Sequence, residues 1–219
     1  MKVLELFAGS RSIGKMAEAL GYEVFSSDYR AFEGINYVVD VLEFDVLKVP
    51  FVPDIIWASP PCTTYSLAGI SHHRINNKAT SEEAKKADLM VLKVQEIIEY
   101  FLQFNPTIKY FVENPRGALR KMHFMNFYPT KYTVTYCQYG DTRMKPTDIF
   151  TNNSLWTPRP MCKNGDTCHE SAPRGSATGT QGLPPADKST ERSKIPPELC
   201  ADILLSVYKP PERNQLQMF

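Results

Sequence analysis

Apolar positions fall into short runs that end in glycine or an acidic residue, separated by stretches with helical spacing. Lys2–Leu6 (KVLEL) predicts a buried strand running straight into Phe7–Gly14 (FAGSRSIG). Ile13, Met16, Ala17 and Leu20 then recur at helical spacing up to Gly21, a helix stop. Glu23–Ser27 predicts a second strand ending in Asp28, Tyr37–Val39 a third ending in Asp40, and Asp54–Ala58 a fourth. Residues 81–104 predict a long amphipathic helix with Ala87, Val91, Val94, Ile98 and Phe101 on its apolar face. Ile108–Val112 predicts a fifth strand that delivers Glu113. Strands alternating with helices imply an α/β chain with a parallel, doubly wound sheet, whose ligands sit beyond the carboxyl ends of the strands. Asp28, Asp40, Cys62 and Glu113 all follow strands in this way, so they predict one shared site.

After Phe127 the pattern changes. Tyr132–Gln138 and Asp148–Thr151 predict later strands, with room for an antiparallel member. Residues 152–192 are rich in Pro, Gly, Ser, Thr and Asn and lack apolar periodicity; so long an irregular stretch is either functional or disordered. Helical spacing returns at Ile195–Val207, with prolines near its start. The expected organisation is a main domain over 1–150 completed by 193–208, an irregular insert over 151–192 and a tail over 209–219.

Composition narrows the class. A chain of 219 residues suits one domain with a small appendage, and 42% hydrophobic residues agree with a soluble globular protein. No apolar run approaches the ~18 residues of a membrane helix, and the first residues lack the basic and apolar regions of a signal peptide, so no membrane is expected. Five scattered cysteines favour a reducing, intracellular setting over a disulfide framework. A formal charge of +1 leaves nucleic acid open, and any electrostatic footprint has to be local.

Three stretches carry candidate chemistry. In Leu4–Gly14 a strand, a glycine turn and a helix start in succession, where Gly9 lets a ligand approach and the helix N-terminus offers free N–H groups. An ordinary tight turn reads the same way. With Asp28 to accept from ribose hydroxyls and Asp40 from an adenine amino group, the set fits an adenosine-containing cofactor without a dinucleotide's phosphates. In Asp54–Ser66 (DIIWASPPCTTYS), Pro60 and Pro61 hold Cys62 on a stiff turn just past a strand. A thiol is a useful nucleophile only as the thiolate, and a small core hydrophobe is the competing role for any cysteine. In Val112–Gly117 (VENPRG), Glu113 beside a thiolate is the pairing expected for addition to an electron-poor ring, although Glu-Asn-Pro is also a good turn.

In order and spacing, FAG, SPPC and ENP resemble the cytosine-C5 DNA methyltransferase family, in a short phage- or plasmid-like form. The resemblance continues through Tyr139, Gly140 and Arg143 and through Ser193–Pro197 (SKIPP), spanning nearly the whole chain. It implies a Rossmann-like, S-adenosyl-L-methionine-dependent methyltransferase fold and methyl transfer to C5 of a cytosine flipped out of double-stranded DNA. Cys62 would attack C6, Glu113 would meet N3, and Arg143 would stand near the base O2 or the nucleophile. Phe7, Ala8, Gly9, Ser10, Ile13, Asp28, Tyr29, Asp40, Val41, Ser59, Pro61 and Ser193 would surround the cofactor. Ser66, Arg74, Asn114, Lys145 and Arg174 would meet the substrate, with Ser66–Thr80 as a loop closing over phosphates. Arg143 and Lys145 both fit the family's arginine position. Arg11 and Ser12 stand where a second glycine is usual, and ENP replaces the family's ENV.

Residues 151–192 would then form a minimal target-recognition region. Its Cys162, Cys168 and His169 are three metal-type ligands where a structural zinc wants four; His123 or Cys137 would have to complete it, and the expectation is reduced cysteines without a metal. The implied setting is the cytoplasm of a bacterial or phage-infected host cell, in restriction–modification or viral DNA protection, with the chain a monomer or served by a separate recognition subunit. Two alternatives keep the motifs: an RNA cytosine-C5 methyltransferase, and a non-catalytic binder of cofactor or nucleic acid.

Overall fold

The computed structural model describes residues 1–67, 69–163, 165–170 and 192–207. In chain order its strands are β1 (Lys2–Leu6), β2 (Glu23–Asp28), β3 (Tyr37–Val38), β4 (Ile55–Ala58), the hairpin β5 (Arg74–Ile75) and β6 (Lys78–Ala79), β7 (Lys109–Pro115), β8 (Thr130–Thr135) and β9 (Pro146–Thr151). The α-helices that lie wholly among the described residues are α1 (Ser12–Ala19), α2 (Ile70–His73), α3 (Glu82–Leu102) and α4 (Pro197–Ser206). The main sheet runs β3-β2-β1-β4-β7-β9-β8, parallel from β3 to β7, with β9 antiparallel to both its neighbours. Strand order reverses between β1 and β4, which opens a crevice at their carboxyl ends.

Successive side chains of the central strands point to opposite faces, and each face has its own core. Leu4, Leu6, Ile56, Ala58 and Val112 pack with Val91, Val94 and Ile98 of α3. Val3, Ile55, Trp57 and Phe111 pack with Ile13 and Ala17 of α1 and Leu199 and Ile203 of α4. The α3 start is well specified: Ser81 Oγ accepts from Ala84 N at 3.2 Å, and Glu82 and Glu83 occupy the first turn.

Three elements differ from the sequence expectation. β7 continues through Glu113 and Asn114 to Pro115, because β9 pairs with it to the end, so ENP is strand rather than turn. β8 stops at Thr135, and Tyr136–Tyr139 curl into a 3-10 turn closed by Gly140 at φ +82°. Within 66–80, α2 leads into the β5–β6 hairpin, whose Asn76 and Asn77 adopt φ +49° and +65°. No described helix is long and apolar enough to cross a membrane. The tail over 209–219 lies outside the described residues, as do Arg174 and most of the insert.

Candidate active site

The crevice begins with the turn after β1, where Phe7, Gly9 and Arg11 take φ of +55°, +49° and +57°. Only glycine enters that region without cost, so the two side-chain-bearing residues store strain that must be repaid by fixed contacts. Asp28 supplies one: Oδ2 accepts from Gly9 N and Oδ1 from Arg30 N, both at 2.9 Å. Each carboxylate oxygen keeps further acceptor capacity. Arg11 supplies the other by folding away from the crevice, its Nε donating to Ser26 Oγ at 3.1 Å and its guanidinium pairing with Glu18. Ser26 Oγ donates in turn to buried Glu5, which also accepts from Gly14 N at 3.1 Å, and burial pushes the Glu5 carboxyl up to about 7. The place of a second glycine is thus taken by a residue that anchors α1.

Along the same rim, Asp40 accepts from Leu42 N at 3.1 Å and from Lys86 Nζ at 2.8 Å, and the Lys86 bond holds its carboxyl below the ordinary value. Tyr29 presents an exposed ring beside Asp28. Ile13 and Val41 differ from expectation: their side chains belong to the two cores, which leaves only their backbone for a ligand. Ala8 is buried in the turn, while Ser59 and exposed Pro61 flank the next strand end.

Beyond β4, Cys62 sits exposed on the Pro60–Pro61 turn, and Tyr65 N closes that turn on Cys62 O at 3.0 Å. Asn114 Nδ2 donates to Pro60 O at 2.9 Å, tying this turn to β7 beside buried Glu113. Gly117 seals the same join: a Cβ there would stand 2.5 Å from Tyr65 O. Tyr136 OH donates to Glu113 Oε1 at 3.1 Å, and Trp57 Nε1 to Ser59 Oγ at 2.8 Å. Burial raises the Glu113 carboxyl, against the pull of Lys145 and of hydrogen bonds from Tyr136 and Ser59. Loss of hydration also raises the Cys62 thiol; the Glu113 charge adds to this and Lys145 opposes it.

Lys145 and Arg143 separate clearly. Lys145 lies over the Tyr136 ring at 4.4 Å, donates to Arg192 O at 2.8 Å, and has its ammonium pKa lowered by burial while Glu113 and Cys62 stabilise its charge. Arg143 is turned to Asp141, Nε donating to Oδ1 at 2.8 Å with a second guanidinium contact. It lines a cavity of about 600 Å³ bounded by Ser10 and Ser12 of the first turn, Tyr139–Arg143 and Lys194–Pro197. Ser193 directly precedes that lining, and Ile195 N donates to Ser12 Oγ at 3.2 Å. Asp28 and Asp40 do not line this cavity.

Arg74 departs furthest from its expected place. It is 4% exposed, stacks on Tyr65 at 4.3 Å, donates to Thr64 O at 3.0 Å and pairs with Asp88 at 2.6 Å. Its charge is therefore committed to holding the 66–80 segment against α3 rather than offered to phosphates; Ser66 remains exposed. Cys162, Cys168 and His169 gather around Cys137, whereas His123 packs edge-on against Phe124. Tyr136 and Asp141 went unremarked in the sequence, since nothing about a tyrosine after a strand or an aspartate in a turn announces a partner.

No family model matches the chain. A probable DNA (cytosine-5)-methyltransferase of Frog virus 3 (isolate Goorha) is 32% identical over 176 residues, covering 77% of this chain and 78% of that protein. Among solved structures, a mutant of Spodoptera frugiperda DNMT2 superposes with a TM-score of 0.50 at 16% identity, covering 73% of this chain and 55% of that one. A putative DNA modification methyltransferase encoded within an E. coli prophage gives 0.50 at 12% identity, covering 74% and 52%. The chain spans about half the length of these two solved structures, and at such identities they establish the fold, an α/β Rossmann-like methyltransferase fold with a mixed sheet. The viral relative, matched over most of both sequences, establishes more: the chain belongs to the DNA (cytosine-5)-methyltransferase family.

Proposed function

We propose that the chain methylates C5 of cytosine in double-stranded DNA, using S-adenosylmethionine and a covalent adduct between Cys62 and C6 of a flipped base. The observation that carries this reading is the Asn114–Pro60 bond of 2.9 Å, which couples the cysteine turn to the Glu113 strand, with the Lys145 charge acting on both groups.

The residues present fit the cofactor. A Cβ on Gly9 would find nothing nearer than its neighbour's carbonyl at 4.0 Å, so the turn leaves open space. Asp28 has acceptor capacity left for ribose hydroxyls, Tyr29 an exposed ring for the adenine, and Asp40 a carboxylate on the same rim. S-adenosylmethionine, when bound, supplies the electrophilic methyl group that C5 receives.

The chain's own residues do the rest. Cys62 Sγ, as thiolate, forms the bond to C6, and the ring's electron pair moves toward N3 and C5. A carboxyl raised by burial, like that of Glu113, is suited to hold a proton and donate it to N3 as charge develops there. The Lys145 charge acts on both groups, so of the two sequence candidates, Arg143 and Lys145, we assign Lys145 to the family's arginine position; Arg143 shapes the neighbouring cavity wall. Loss of the C5 proton then expels Cys62. Flipping the base costs a few kcal/mol, which contacts in the closed crevice must offset.

The test is incubation of the chain with 5-fluorocytosine-containing duplex DNA and cofactor. A covalent complex that survives denaturation is expected, and Cys62→Ser should abolish it while retaining cofactor binding. Bisulfite sequencing of DNA from expressing cells would then give the modified sites. Methyl transfer to RNA alone, or cofactor binding with no adduct on any duplex, would overturn the proposal.

A further inference from the structure

We propose that Cys137, Cys162, Cys168 and His169 bind a single zinc ion as a structural Cys3His centre. Their ligand atoms all lie within 4.8 Å of one another, although Cys137 is distant in sequence from the other three. The Sγ atoms of Cys137 and Cys162 are 3.1 Å apart and those of Cys168 and Cys137 3.6 Å. His169 Nδ1 lies 3.7 Å from Cys162 Sγ and 3.6 Å from Cys168 Sγ.

These separations match a metal better than a disulfide. An S–S bond needs about 2.05 Å, and all five cysteines are free. A tetrahedron with Zn–S near 2.3 Å and Zn–N near 2.0–2.1 Å has edges of roughly 3.6–3.8 Å. The Cys168–Cys137, Cys162–His169 and Cys168–His169 separations of 3.6, 3.7 and 3.6 Å match, and the Cys137–Cys162 pair at 3.1 Å would open slightly around the ion. Three thiolates and one imidazole are a soft donor set, matched to zinc rather than to magnesium or calcium. Two ligands, Cys137 and Cys162, are buried. Packing four metal-type side chains head to head would otherwise leave thiols facing thiols with little to satisfy them.

The surroundings hold the ligands from outside. Cys162 N donates to Thr135 Oγ1 at 3.1 Å, Gln138 Nε2 to Cys168 Sγ at 3.3 Å, and Glu170 N to Thr142 O at 3.0 Å. Such outer contacts orient ligands and tune a metal centre. They also show what the ion would do. It would pin segment 162–170 onto the 3-10 turn that begins with Tyr136, the partner of Glu113, and onto the strand-to-strand loop carrying Arg143. A recognition insert would thereby be rooted at the wall of the catalytic crevice, a role independent of whether the chain's substrate is DNA.

The experiment is metal analysis of the full chain purified without chelator, with Co²⁺ replacing zinc in the stripped protein. One equivalent of zinc per chain is expected, with thiolate-to-cobalt charge transfer and the intense d–d bands of a tetrahedral site. Cys162→Ser and His169→Ala should lose most of the metal, while His169→Cys and Cys200→Ala keep it. Should the losing variants fail to fold, differential alkylation of the wild-type chain answers the same question. Metal should shield Cys137, Cys162 and Cys168 but not Cys62, and chelation should expose all three. A folded chain, competent in cofactor binding, that holds no zinc after loading and gives no cobalt spectrum would overturn the proposal. A Cys137–Cys162 disulfide in the freshly isolated protein would also overturn it.

Discussion

The proposed chemistry rests on a thiol whose pKa its surroundings raise. Partial loss of hydration and the Glu113 charge both raise Cys62, and Lys145 works the other way, so the two neighbours should move its titration in opposite directions. Alkylation of Cys62 by iodoacetamide, followed against pH, is expected to reach half its maximal rate above the pH of an ordinary cysteine. Glu113→Gln should shift that curve to lower pH and Lys145→Met to higher pH; shifts of the same sign would contradict the electrostatic reading. Glu5 offers a second titration, unconnected with catalysis. Its carboxyl rises from 4.5 to about 7 on folding, so between those values the folded state holds a proton that the unfolded chain has released. Stability from this group is therefore full below about pH 4.5 and falls as pH rises toward 7, by about 3 kcal/mol in all. Urea unfolding of Glu5→Gln at pH 5 and pH 7.5 should show about 2 kcal/mol less loss between the two than the parent chain, since part of the change already lies below pH 5.

At the scale of elements, the critical join is between the turn carrying Cys62 and the end of β7. Gly117 is required there by close approach rather than by its backbone angles, since an added Cβ would meet the Tyr65 carbonyl at 2.5 Å. Gly117→Ala should cost about 1–3 kcal/mol in unfolding free energy, as overpacking does. It should also lower the rate of adduct formation while cofactor affinity stays within error, because the first turn is untouched; calorimetry and single-turnover kinetics separate the two. The same join explains why ENP is a strand. Glu113 faces Ile149 and Asn114 faces Asp148 across β9, a pairing partner more than thirty residues away that a local reading of Glu-Asn-Pro as a turn could not include. The 66–80 segment repeats the lesson. Polar and basic in sequence, it is organised by Arg74, whose partners Thr64, Ala84 and Asp88 lie on flanking elements.

For the molecule as a whole, cofactor binding should stabilise the fold by mass action. At 100 times its Kd, S-adenosylmethionine should contribute about 2.7 kcal/mol and raise Tm by roughly 5–11 °C for a chain of this size. Differential scanning fluorimetry would detect this, and an unchanged Tm would argue against the assigned pocket. The α/β doubly wound class, and the placing of Asp28, Asp40, Cys62 and Glu113 just after or at the end of strands, were legible along the chain; the strand order was not. Short apolar runs alternating with helical spacing leave few topologies, and in such a sheet the residues after parallel strands converge at one edge. Tertiary structure alone decided that the Lys145 charge acts on Cys62 and Glu113 while Arg143 pairs with Asp141, that Arg74 is buried, and that Cys137 meets Cys162, Cys168 and His169. Each of those outcomes depends on side chains from separate loops arriving at one point, and spacing along a chain carries no information about which loop tips will meet.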